Sequence, residues 1–115
     1  EKLAVVRVNT DVLDLPGVVI ADGNAASDYT AFWPSPDGLA RGSKQQVFAE
    51  SWVDDNIIVQ YEKKRVKCAE VLVPDKVETR FILGLYVPSK ELQEVMIEEV
   101  SGFSVDIDVH LFFRG

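Results

Sequence analysis

The stretch Phe81-Ile82-Leu83-Gly84-Leu85-Tyr86-Val87 decides the fold. It carries no charge and is apolar on both faces of an alternating chain, the pattern of a strand covered on both sides and therefore central in its sheet. Downstream, Ser89 is placed to cap a helix in which Leu92, Val95, Met96 and Val100 recur at helical spacing. Glu91 and Glu94 suit the positive end of that helix, and Gly102 marks its stop. Met96 reads as core filler. Ser104 to Leu111 then alternates, with Val105, Ile107, Val109 and Leu111 set against Asp106, Asp108 and His110, and predicts a closing strand.

Working upstream, Ala69-Glu70-Val71-Leu72-Val73 predicts a strand closed by Pro74. Leu3 to Val8 and Val18 to Ala21 are β-branched strand runs. The brief Val12, Leu13, Leu15 segment between them suggests parallel pairing. Ser43 and Gln46 form a capping box that opens a helix with Val47, Phe48 and Trp52 on one stripe. Asn56 to Lys67 fits helix and strand equally well. Asp22 to Gly42 lacks periodicity, and such irregular segments are often functional. Its Tyr29, Phe32 and Trp33 form either a satellite core or a binding surface. The sum is an α+β domain spanning residues 1–115, with a mixed sheet of about five strands and two or three helices.

Of the 115 residues, 47% are hydrophobic and 27% charged, which excludes a disordered tail and allows one real core. The longest mostly apolar run is too short to span a membrane, and no secretory signal opens the chain. Cys68 is the single cysteine, so it can form neither an internal disulfide nor a cysteine-rich zinc site; a reducing, cytoplasmic setting is expected. Glu1 is not an initiator Met, so a processed product or a piece of a longer chain is expected.

The formal charge of −7 argues against a surface that tracks nucleic acid throughout. It is unevenly spread. Residues 62–67 hold four basic and one acidic side chain, net +3, so the remainder carries −10. Lys63, Lys64, Arg65 and Lys67 are the one dense basic cluster and lie beside Tyr61. They read either as a phosphate-contacting strip with a stacking ring or as a solvated helix face.

Catalytic options are few. His110 is the only histidine, so any triad or histidine-based metal site depends on it; with Asp106 and Asp108 it makes a remote hydrolase centre, and no metal is expected. No glycine-rich phosphate loop is present. Glu70 shares a face with Cys68 and Leu72. A carboxylate there either faces water at a sheet edge or aims into a pocket as an electrostatic or acid–base group.

Three stretches together resemble the DarT-type toxins, the DNA ADP-ribosyltransferases. They are Val18 to Ala25 followed by Tyr29, Thr30 and Phe32; Tyr61, Lys64 and Lys67 to Val77; and the closing His110-Leu111-Phe112-Phe113-Arg114. The resemblance runs in order along nearly the whole chain. It implies an ADP-ribosyltransferase-like fold and the transfer of ADP-ribose from NAD to a base of single-stranded DNA, with a macrodomain antitoxin that reverses the mark. It makes Glu70 the catalytic glutamate, stabilising the oxocarbenium character that develops on the ribose as the nicotinamide bond breaks. Asn24 stands where many members carry a histidine and would position NAD or the base. Tyr61, Lys63, Lys64 and Lys67 would face DNA.

One departure accompanies this. The family's opening histidine and NAD-holding arginines have no equivalent, and Arg7, Arg41 and Arg80 do not take their places. The chain is therefore expected to be the target-facing part of a domain without its N-terminal NAD-binding half. The competing reading is a non-catalytic remnant that serves as a protein-interaction module.

Overall fold

The computed structural model describes residues 3–112. Phe113 and Arg114, which end the family-like closing stretch, lie outside them. Among the described residues there are six strands: β1 (Val5–Val8), β2 (Val19–Ala21), β3 (Phe32–Pro34), β4 (Glu70–Leu72), β5 (Ile82–Val87) and β6 (Ser104–Ile107). The helices are α1 (Lys44–Val47), α2 (Ile57–Lys67) and α3 (Lys90–Glu99). The class is α+β, as expected. The strands, however, form two three-stranded sheets, ordered β1-β5-β6 and β3-β2-β4, in place of one mixed sheet. Each sheet belongs to its own compact unit.

The first unit joins residues 3–10 to residues 77–112. β5 is central there, antiparallel to β1 and parallel to β6, as its two apolar faces require. Leu85, Val87 and Val105 form its core, with Leu92, Met96, Val100 and Phe103 packed against them, so Met96 is indeed filler. Ser89 Oγ accepts from Leu92 N at 3.3 Å and starts α3. Gly102, at φ 90°, reverses the chain after that helix. The closing strand is shorter than its alternation predicts. Asp108 N donates to Val87 O at 3.0 Å, and Asp108 Oδ1 then accepts from His110 N at 3.0 Å. That side-chain cap turns residues Val109–Leu111 into a 3-10 helix, so His110 lies on a turn and not on a strand face.

The second unit, Asp11–Lys76, carries Glu70, Asn24, Tyr61, Lys63, Lys64 and Lys67, whereas Asp106, Asp108 and His110 belong to the first. β2 is central, antiparallel to β3 and to β4. The expected parallel pairing of β1 with β2 does not occur, because ten residues built around the 3-10 helix Thr10–Asp14 are too few for a crossover. β3 lies inside the stretch expected to be irregular. It is three residues long and contains Pro34, which an edge strand tolerates. α1 is a single turn, capped by Ser43 Oγ on Gln46 N at 3.3 Å. It does not extend to Trp52, because Lys67 Nζ donates to the carbonyls of Val47, at 3.4 Å, and of Ala49, which a longer helix would use internally.

The ambiguity over Asn56 to Lys67 resolves as helix for two local reasons. Asn56 Oδ1 accepts from Ile58 N at 2.9 Å and from Val59 N at 3.3 Å. Lys64, Arg65 and Lys67 sit in the last turn, where the macrodipole favours cations. No helix among the described residues is long and apolar enough to cross a membrane.

Candidate active site

β4 is an edge strand and Glu70 opens it, exposed and paired in register with Ala21 at the end of β2. Of the two readings of Glu70, the edge position is the one observed. The carboxylate is nevertheless not adrift. The segment that leaves β2, Asp22-Gly23-Asn24-Ala25, turns back so that Ala25 N donates to Glu70 Oε2 at 3.3 Å. Among the described residues no other hydrogen bond reaches this carboxylate. Glu70 is thus oriented by one backbone N–H, with its side chain otherwise exposed.

The turning segment is held from within. Asn24 Oδ1 accepts from Ala26 N at 3.0 Å, closing an Asx turn. Asn24 O accepts from Thr30 Oγ1 at 2.7 Å, and Asp22 Oδ1 accepts from Ala31 N at 2.9 Å. The anchor on the other side is Arg65 of α2. Its backbone carbonyl accepts from Asn24 N at 2.9 Å, and its Nη1 donates to Thr30 Oγ1 at 3.1 Å and reaches Asp22 Oδ1 at 3.5 Å. Nε and Nη2 fork onto Glu62 at 3.0 and 2.5 Å. The hydrogen bond from Arg65 holds the Glu62 carboxyl below the usual glutamate range, and the reciprocal bond raises the Arg65 guanidinium above its own. Gly23 is required by this close approach. A Cβ there would lie 3.0 Å from both Arg65 O and Thr30 Oγ1, and closer still to Arg65 Nη1.

Beside this hub, α2 and the Asn24–Tyr29 segment enclose an open groove of about 670 Å³. Asn24, Tyr29, Ile58, Tyr61 and Lys64 line it. Tyr29 is 85% exposed, Ile58 76% and Tyr61 69%, so their apolar surfaces face the groove unpaired. Glu70 is not in the lining; it is tied to the residue next to Asn24 in the chain.

The residues singled out from the sequence therefore divide. Glu70, Asn24, Tyr61 and Lys64 come together around one turn and one groove. Lys63 and Lys67 turn to internal partners: Lys63 Nζ meets Asp54 Oδ2 at 2.7 Å, and Lys67 engages the Val47 and Ala49 carbonyls. The hydrogen bond from Lys63 holds the Asp54 carboxyl below its ordinary value. The basic cluster is thus largely consumed by the fold, because its charges have partners that a linear reading does not supply. Arg65 and Tyr29 are the residues that reading underrates. The i, i+3 spacing of Glu62 and Arg65 signals the ion pair, whereas the contacts to Asp22 and Thr30, 43 and 35 residues away, leave no local trace. Asp106, Asp108 and His110 do not gather: among the described residues no group of His, Cys, Asp and Glu is arranged to hold a metal ion.

Comparison with known proteins sharpens this picture. No curated protein matches the sequence. Among solved structures, Thermosipho africanus DarTG in complex with ADP-ribose is similar at 25% identity and TM-score 0.74, over 96% of this chain and 29% of that one. Two Thermus sp. 2.9 DarT structures share the fold. The complex with NAD+ is 20% identical with TM-score 0.70, over 84% of this chain and 49% of that one. The complex with ADP-ribosylated ssDNA is 18% identical with TM-score 0.76, over 92% and 52%. The chain thus spans about half or less of the length of these relatives. A family model described as DarT, ssDNA thymidine ADP-ribosyltransferase, matches residues 1–112, and the chain belongs to that family.

Proposed function

We propose that this chain carries the catalytic glutamate and the DNA-facing surface of an enzyme that transfers ADP-ribose from NAD to a thymidine of single-stranded DNA. The observation that carries the reading is the seating of Glu70: an edge-strand carboxylate, oriented by the Ala25 N–H and open to a ligand, next to a groove walled by rings. Family membership over residues 1–112 supports the substrates.

The chemistry follows from the carboxylate. As the bond between the ribose C1 atom and nicotinamide lengthens, its electron pair leaves with nicotinamide and positive charge grows on the ribose. A fixed carboxylate facing that charge, or hydrogen-bonded to a ribose hydroxyl, stabilises the transition state more than the ground state. A nucleophilic atom of the thymine base then attacks C1, and its proton passes to solvent water as the new bond forms. The Ala25 N–H holds Glu70 in one orientation before the reaction begins, so little reorganisation is left for the transition state. Asn24, one residue away and locked by its Asx turn, is placed to position NAD or the base.

A macrodomain that removes the mark, pairing with this chain as antitoxin to toxin, is part of the proposal; the likeness to Thermosipho africanus DarTG supports it. So is a cytoplasmic location, where NAD and DNA are both held. The test is incubation of a form that also carries the NAD-binding half with NAD and a thymidine-containing oligonucleotide, read by mass spectrometry. A gain of one ADP-ribose on the single strand, absent with Glu70→Gln, is expected. An unmodified strand would favour the non-catalytic interaction module instead.

A further inference from the structure

We propose that this chain grips its DNA by stacking unpaired bases on Tyr29 and Tyr61, with Lys64 as the one phosphate contact in the groove, so that binding depends little on salt. The inference rests on the reading of the groove as DNA-facing and goes on to say which side chains do the holding.

Four cations fall between residues 63 and 67, and they would ordinarily suggest a phosphate clamp. Lys63 is paired with Asp54, Arg65 with Glu62 and Asp22, and Lys67 with two carbonyls. Lys64 is different. Its ammonium stands 5.4 Å from the centre of the Trp52 ring and makes no ion pair among the described residues, and it lines the groove, where the one carboxylate, Glu62, is already engaged by Arg65.

Exposed aromatic surface is what the groove has in quantity. Tyr29, on the segment after β2, and Tyr61, in the second turn of α2, are 85% and 69% exposed, and Ile58 shares the same lining. Large side chains left open on a wall with a single free cation suit a partner that presents flat, apolar faces at low charge cost. Unpaired bases do so; in a duplex these faces are stacked away. The groove therefore selects single strands without a base-specific hydrogen-bond code.

The salt dependence separates the two modes of grip. For single strands, log K falls by about 0.7 per neutralised phosphate for each decade of salt. One lysine predicts a loss of roughly 3-fold between 50 and 200 mM salt, whereas four cations predict roughly 50-fold. Losing one stacking ring should weaken binding about 10-fold.

The experiment is fluorescence anisotropy of the protein with a labelled thymidine-containing oligonucleotide and with its duplex, without NAD, at 50 and 200 mM salt. The variants are Tyr29→Ala, Tyr61→Ala, Tyr61→Trp and Lys64→Gln, with circular dichroism confirming that each is folded. The expected result is preference for the single strand, about 10-fold loss in each alanine variant, recovery in Tyr61→Trp and a flattened salt response in Lys64→Gln. Wild-type affinity in both alanine variants, a salt response near 50-fold, or no binding of the single strand would overturn the proposal. So would alanine variants that lose affinity for NAD and not for DNA, since the rings would then hold the dinucleotide. Binding that behaves as expected in a protein that transfers no ADP-ribose would leave this proposal standing and defeat the activity reading alone.

Discussion

Arg65→Met is the most informative single change, because Arg65 is where α2 holds the segment that carries Asn24 and orients Glu70. Methionine keeps the apolar stem and removes the guanidinium, whose side chain is only 15% exposed. Three sets of contacts disappear. The fork onto Glu62, itself 54% exposed, is worth about 0.5 kcal/mol after solvent screening. The charge-assisted bond to Thr30 Oγ1, at 3.1 Å and partly buried, is worth about 1.5 kcal/mol. The long contact to Asp22 at 3.5 Å adds a few tenths. Thr30 Oγ1 keeps its bond to Asn24 O, and Asp22 Oδ1 keeps the Ala31 N–H, so no orphaned polar group adds a penalty. The expected loss is about 2 kcal/mol, or about 8 °C in Tm for a chain of this size. Tryptophan fluorescence is the right assay, since the chain's two tryptophans, Trp33 and Trp52, both belong to the second unit. A cycle with Thr30→Val isolates the central bond and should return a coupling of about 1 kcal/mol. A loss below about 0.5 kcal/mol, or additivity in the cycle, would refute Arg65 as the hub.

Other expectations follow from the same geometry. Gly23→Ala places a methyl group against Arg65 and Thr30 and should cost about 1–3 kcal/mol on urea unfolding, with Arg65→Met relieving part of it. Because Glu62 has its pKa lowered in the folded chain, its contribution is present above the unfolded value of about 4.3 and is lost as pH falls through the folded value. Stability followed by fluorescence from pH 6 to pH 3 should therefore fall less steeply in Glu62→Gln than in the parent. Asn56→Ala removes the cap that makes α2 a helix and should cost about 1 kcal/mol, measured by the same unfolding assay.

What could be read from the sequence was what local chemistry dictates. The uninterrupted apolar run Phe81 to Val87 and the Ser89 cap gave β5 and α3 directly, because period and capping are short-range signals. β3 escaped because it is brief and carries Pro34, and a strand of that kind is made by its partner β2 more than by its own composition. The site shows the same division. Glu70 stood out as a carboxylate among apolar neighbours, yet the N–H that orients it comes from Ala25, 45 residues away. Charge density at residues 63–67 was visible as density alone. Which of those cations stay free was settled by Asp54, Asp22 and two carbonyls that only the folded chain brings near.

The central claim is that the Glu70 carboxylate drives transfer of ADP-ribose to thymidine in single-stranded DNA, and its most direct test is the rate of that transfer in Glu70→Gln. Glutamine keeps an oxygen for the Ala25 N–H and so preserves the turn while removing the charge. In a form that also carries the NAD-binding half, with labelled NAD and a thymidine-containing oligonucleotide, single-turnover rates should fall by about 10²-fold or more, with oligonucleotide affinity unchanged. A Glu70→Gln protein that transfers ADP-ribose at the parent rate would contradict the account.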